Sequence, residues 1–146
     1  MPDGTLVTAA LVGQLVGAVG MAGVLWVVQL VHYPLMAVVP ESAFPAYAAG
    51  HTTRITWVVG PLMAVEGVAT LILLARPPAD VAGWLPWAGA VSLAIALAVT
   101  ALVSAPLHGR LSVGFDPQLH DRLVRTNWIR TAAWSAHAAV AVAMVA

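Results

Sequence analysis

Apolar residues run in four long blocks, and charged residues mark the gaps between them. No charged residue lies between Asp3 and Glu41, between Asp80 and Arg110, or after Arg130. A membrane-crossing helix needs about 20 mostly apolar residues. Four stretches meet that need, at roughly Thr5–Val31, Thr53–Ala75, Trp84–Pro106 and Asn127–Val145. Each is apolar on all sides, as a span is, rather than on one stripe like a surface helix. The pattern predicts an all-α, four-transmembrane-helix bundle, up-down-up-down, forming one membrane domain over residues 1–146.

Breakers set the connections. Pro34, Pro40 and Pro45 end the first block, with Ser42–Gly50 as a short interfacial helix. Arg76-Pro77-Pro78-Ala79-Asp80 makes a second turn, and Pro106, Gly109, Gly114 and Pro117 break the third connection. Gly60-Pro61 predicts a kink in the second span. Gly13, Gly17, Gly20 and Gly23 put small residues along the first span, which lets backbones approach closely in lipid. The first block is too long, and its N-terminal flank too poor in basic residues, for a cleaved signal peptide.

Charge then orients the bundle. Arg54, Arg110, Arg122, Arg125 and Arg130 fall on one face if the spans alternate, against Arg76 alone on the other. The positive-inside rule predicts a multi-pass protein of the bacterial inner membrane with both termini outside the cytoplasm.

Composition narrows the function classes. Of 146 residues, 61% are hydrophobic and 8% charged, with zero formal net charge. Mean hydropathy is +0.91. The six basic residues are all arginine, too few for a nucleic-acid surface. The absence of cysteine excludes disulfides, thiol catalysis and a CxxC redox pair. No P-loop, GxGxxG or GxSxG motif occurs.

Polar residues gather near one end of each span. Gln29 and His32 are three apart on the first, and His51 and Arg54 open the second. Thr100, Ser104 and His108 recur every four residues on the third. Asn127, Arg130, Thr131 and Trp134 form a stripe on the fourth, with His137 at its edge. Ionisable groups in spans usually face the interior and mark function.

Three chemistries fit His32, His51 and His108: a three-histidine metal site, axial ligation of haem, or a metal-free polar pocket. The cofactor is iron, copper or haem, or there is none. Histidines hydrogen-bonding water at the headgroup level are the structural alternative. Arg130, one turn inside the fourth span, either binds a substrate oxygen or caps loop carbonyls. Glu66 lies twelve residues beyond Arg54, hence roughly 18 Å deeper. His137 is its candidate partner, as a proton relay or as a neutral hydrogen bond locking two helices. Gln14 lies on the His32 face, five turns away. The six tryptophans near the span ends predict an aromatic belt or packing.

The segment Ala105-Pro106-Leu107-His108-Gly109-Arg110-Leu111, followed by Thr126-Asn127-Trp128-Ile129-Arg130-Thr131-Ala132, resembles the anthrone-oxygenase-like family of small four-helix membrane proteins. That family has Pro-Leu-Asn after its third helix and Asn-x-x-Arg-Thr opening its fourth. Pro34-Leu35 matches the pair that closes its first helix. The chain is most similar to a bacterial branch with His-Tyr-Pro, His-x-x-Arg and Asn-Trp-x-Arg-Thr elements. The resemblance implies oxidation of a polycyclic phenol by dioxygen, with Pro106, Leu107, Asn127, Arg130 and Thr131 carried over. His108 and His51 stand where the family has Asn, which makes the shared site richer in histidine.

Two functions follow as expectations. The first is an oxidoreductase or oxygenase-like enzyme acting on a hydrophobic phenolic or quinonoid molecule. In it His108, Asn127 and Arg130 would be catalytic, and His32, His51 and His108 would bind metal. The second is an accessory subunit of a homo-oligomer or larger membrane complex, packed through the glycine-rich first helix. A transporter using Glu66 is a weaker third.

Overall fold

A computed structural model describes residues 2–146. It is all-helical, with four long helices. The first, α1 (residues 2–36), runs as α-helix through Pro2–Val27, passes a π turn at Val28–His32, and ends in the short stretch Tyr33–Met36. Helix α2 is Phe44–Ala75. Helix α3 (residues 85–111) repeats the design of α1: Leu85–Val99, a π turn at Thr100–Ser104, then Ala105–Leu111. Helix α4 is Pro117–Ala143.

Three of these, Gly4–Met36, Phe44–Ala75 and Leu85–Leu111, are long and apolar enough to cross a membrane. The chain is read accordingly as a multi-pass membrane protein. Helix α4 does not reach the same mean hydropathy, and the reason lies in its faces. Its polar residues His120, Asn127, Arg130, Thr131 and His137 are buried, while Trp128, Ile129 and Val142 face outward. A window average mixes the two faces.

Four predicted boundaries near prolines move, the fourth helix starting at Pro117 rather than Asn127. The first span was expected to stop near Val31, yet the helix continues through Pro34. Pro34 has no N–H to return to the preceding turn. The chain absorbs this by widening one turn, so that the Tyr33 N–H reaches back five residues to the Val28 carbonyl. Pro106 is accommodated in the same way, with the Ala105 N–H bonded to the Thr100 carbonyl. Ser42–Gly50 is not a separate interfacial helix beyond Phe44, where α2 begins, because Pro45 sits in its first turn, where a missing N–H costs nothing. Pro117 opens α4 likewise. There Asp116 caps the helix, its Oδ1 accepting from the N–H of Gln118 at 2.8 Å and of Leu119 at 3.1 Å.

Helix α1 packs along α2 and α4, and α4 along α3, leaving the α2–α3 seam the least closed. Three apolar clusters stack through the bundle. One joins Tyr33, Met36, Phe44, Leu107, Leu111 and Leu123. A central one holds Met21, Leu25, Ala96 and Trp134. The third joins Ala10, Leu73 and Met144. Outside them Val12, Val16, Val68, Leu71, Val91 and Leu102 stay exposed, as lipid-facing residues do.

The glycine face of α1 is occupied within the chain. A Cβ at Gly17 would lie 2.9 Å from the Glu66 Cβ and 3.2 Å from the Leu62 carbonyl, whereas one at Gly23 would meet nothing within 4 Å. Gly17→Ala is therefore expected to destabilise the protein by about 1–3 kcal/mol through overpacking, with Gly23→Ala near neutral. Thermal unfolding of both variants in detergent checks this; equal midpoints would contradict the packing.

Candidate functional site

The two π turns set the geometry of the polar end. An extra residue in the turn rotates everything beyond it, and such turns often occur at functional sites. Gln29 and His32, expected on one face, part company as a result. Gln29 turns to α4, where its Oε1 accepts from Asn127 Nδ2 at 2.7 Å. His32 turns to α2, its Nδ1 3.3 Å from the Tyr47 hydroxyl.

Asn127 begins a hydrogen-bonded chain that fixes Arg130. The Arg130 Nη1 donates to Asn127 Oδ1 at 2.9 Å, and its Nε donates to Thr100 Oγ1 at 2.9 Å. Thr100 passes its own proton to the Ala96 carbonyl at 2.7 Å, which leaves its oxygen free to accept. The Tyr33 hydroxyl lies beside the guanidinium. The guanidinium carbon also sits 5.5 Å from the centre of the Trp134 ring, within cation–π range. Arg130 is thus 8% exposed, held by neutral groups on three helices.

Deeper in the bundle, Trp134 Nε1 donates to Glu66 Oε1 at 2.8 Å. Glu66 Oε2 stands 3.8 Å from His137 Nε2, and both side chains are fully buried. The other ring nitrogen of His137 donates to the Gly89 carbonyl at 2.9 Å. That bond assigns the Nδ1–H tautomer and turns the Nε2 lone pair toward Glu66. Glu66 and His137 are brought together as expected, and Gln14 lies beside them, accepting from Thr70 at 3.5 Å. Trp134, read as belt or packing, is buried and holds the carboxyl. The other five, Trp26, Trp57, Trp84, Trp87 and Trp128, are exposed.

The three candidate metal ligands also converge, with two of them stacked. His32 and His51 lie face to face with centroids 3.8 Å apart and planes 19° apart. His108 stands 5.8 Å from His51, tilted by 34°. The stacked pair points its nitrogens side by side rather than at a common centre. His108 Nε2 is further engaged by the Tyr33 hydroxyl at 3.2 Å. Among the described residues no group of three His, Cys, Asp or Glu side chains is arranged to hold a metal ion. The donors therefore do not fit a three-histidine centre.

His51 and His108, but not His32, line a cavity of about 460 Å³ between α1, α2 and α3, with Arg130 of α4 in its wall. Val24, Leu25 and Val28 make one side, Thr52, Ile55 and Thr56 another, and Thr100, Ser104 and His108 the third. A mostly apolar pocket with a few convergent polar groups is the usual form of a small-molecule site. His51 and His108 both face it. Asn127, expected to touch substrate, does not line it; it positions Arg130 from behind. Arg54 is exposed, with a guanidinium nitrogen 3.0 Å from where a Gly50 Cβ would stand.

Comparison with known proteins gives no name to this arrangement. No family model matches the chain, and no characterised protein or solved structure is significantly similar to it. Function is argued from the site itself.

Sequence reasoning missed three participants. His120, buried, bonds the Tyr33 carbonyl at 3.0 Å, one of the last-turn carbonyls left over at the end of α1. Tyr33 and Tyr47 each hold one of the clustered histidines. The signal was the pairing of both tyrosines with prolines, at Tyr33-Pro34 and Pro45-x-Tyr47, to which no role was assigned.

Asn127→Leu should leave Gln29 Oε1 and Arg130 Nη1 buried without partners and cost roughly 1–3 kcal/mol. Arg125 and Asp121 form an exposed i,i+4 pair at 3.6 Å, so Arg125→Ala should change stability by less than about 0.5 kcal/mol. Denaturant titration in a fixed detergent compares the two, and equal losses would refute the buried chain.

Proposed function

We propose that this protein is a four-span, up-down-up-down protein of the bacterial inner membrane, with both termini outside the cytoplasm. In this reading it oxidises a hydrophobic phenolic or quinonoid molecule taken from the bilayer. The observation that carries it is the cavity, in which apolar walls enclose His51, His108, Ser104 and Arg130. Two facts support the topology. Gly13 faces Val65 and Ala69 while Gly20 faces Leu62, so α1 and α2 run in opposite senses. Arg54, Arg110, Arg122 and Arg125 belong to the pocket's end, which the positive-inside rule assigns to the cytoplasm.

The chemistry follows the resemblance to anthrone oxygenases and needs only dioxygen as co-reactant. His108 or His51 takes a proton from the methylene that lies across the central ring from the aromatic ketone. The electrons withdraw onto the ketone oxygen, making a phenolate that Arg130 stabilises. Dioxygen then oxidises that carbon: one oxygen atom becomes the new carbonyl, and the other leaves as water with the two hydrogens removed. A water-poor pocket beside lipid suits a substrate of this polarity.

Purified protein in lipid nanodiscs should consume one dioxygen per anthraquinone formed from anthrone. His108→Ala should slow the reaction about 100-fold, with Arg125→Ala unchanged. An oxygen electrode and the quinone absorbance measure both, and a wild-type rate equal to that of empty discs would overturn the reading.

A further inference from the structure

We infer that the pocket takes its ligand as an anion, an apolar body ending in one negatively charged oxygen group, admitted sideways between α2 and α3. The inference rests on reading the cavity as a ligand pocket and adds the ligand's charge and its route.

Charge balance carries the first part. Arg130 cannot lose its proton under ordinary conditions, and it is 8% exposed. Its polar neighbours are Thr100, Asn127 and Tyr33, all neutral. No described carboxylate pairs with it: Asp121 lies against Arg125, and Glu66 lies against His137. Glu66 stands beyond the Trp134 indole, which turns its face to the guanidinium and its N–H to the carboxyl. A buried cation in an apolar medium costs several kcal/mol unless an anion meets it. Arg130 lines the cavity, so the anion that completes it arrives there.

A second observation points to the same place. Ser104 is 2% exposed and lines the cavity. Its hydroxyl has no hydrogen-bond partner among the described residues. A buried donor without a partner is costly, and an oxygen ligand beside Arg130 would satisfy it. The threonines opposite do not compete for that role. Thr52, Thr53 and Thr56 donate to the carbonyls of Ala48, Ala49 and Thr52, at 3.0, 3.0 and 2.8 Å.

The route follows from which cavity residues are also exposed. They are Ala49, Thr52, Thr53 and Thr56 on α2, and Ala105 and Gly109 on α3. Both rows border the α2–α3 seam, whereas Leu25 and Val28 of α1, across the cavity, are buried. Gly109 leaves the mouth wide, since a Cβ there would meet nothing within 4 Å.

The test compares two fluorescent probes in nanodiscs of zwitterionic phosphatidylcholine, with empty discs as reference. One is anthracene-2-carboxylate, an anion at neutral pH; the other is the neutral 2-hydroxymethylanthracene. Wild-type protein should bind the carboxylate about ten-fold more tightly or better. Arg130→Gln should erase that preference while keeping the weaker neutral binding, and Arg130→Lys should retain part of it. Gly109→Trp should slow association and dissociation together. Equal wild-type affinity for the two probes overturns the anion claim and leaves the pocket standing, as does a preference that survives Arg130→Gln. Unchanged rates in Gly109→Trp overturn the route. Binding of neither probe removes the pocket reading itself and this inference with it.

Discussion

A guanidinium inside an apolar bundle is the constraint around which the rest of this protein is arranged. Water cannot solvate it there, so protein groups must take water's place. Thr100 comes from α3, Asn127 from the turn before it on α4, and Gln29 of α1 holds Asn127 in turn. Three helices are thereby tied together at one end, and the bonds that Arg130 itself donates are charge-assisted, stronger than neutral ones. The indole of Trp134 then links this layer to Glu66 of α2, and Glu66 faces His137. All four helices contribute to one continuous polar seam. The lipid-facing surfaces stay apolar as a consequence, because the polar inventory is spent inside.

The paired π turns make the seam possible. In α1 and α3 a π turn directly precedes Tyr33-Pro34 or Ala105-Pro106. In α1 the turn coincides with the divergence of Gln29 toward α4 and His32 toward α2. The cavity lies between these two turns, with its walls drawn from residues just before and just after them.

Much of this was legible in the sequence, and the gaps have definite physical causes. The four helices, three of them apolar enough to cross a membrane, the gathering of polar residues at one end and the meeting of Glu66 with His137 follow from helical periodicity and depth alone. Arg130 stood out because a charge so far inside a span needs a reason. Helix ends near Pro34, Pro45 and Pro106 were misplaced, because a proline in sequence looks the same whether it ends a helix, opens one or follows a widened turn. The three histidines do meet, but residue spacing carries no information on ring orientation: His32 and His51 stack, and His108 lies tilted beside them. Trp134 and His120 were underrated for a related reason. Their partners, Glu66 and the Tyr33 carbonyl, lie 68 and 87 residues away, beyond the reach of any local pattern.

The most direct test of this account is where the Arg130 guanidinium sits in a real bilayer. Solid-state NMR of the labelled protein in phosphatidylcholine can resolve its carbon through cross-peaks to Asn127. The account predicts through-space contacts to Thr100 and the Trp134 ring, with no dephasing by headgroup phosphorus. Strong phosphorus dephasing without those contacts would show Arg130 reaching up to the lipid surface, and the buried seam would have no centre.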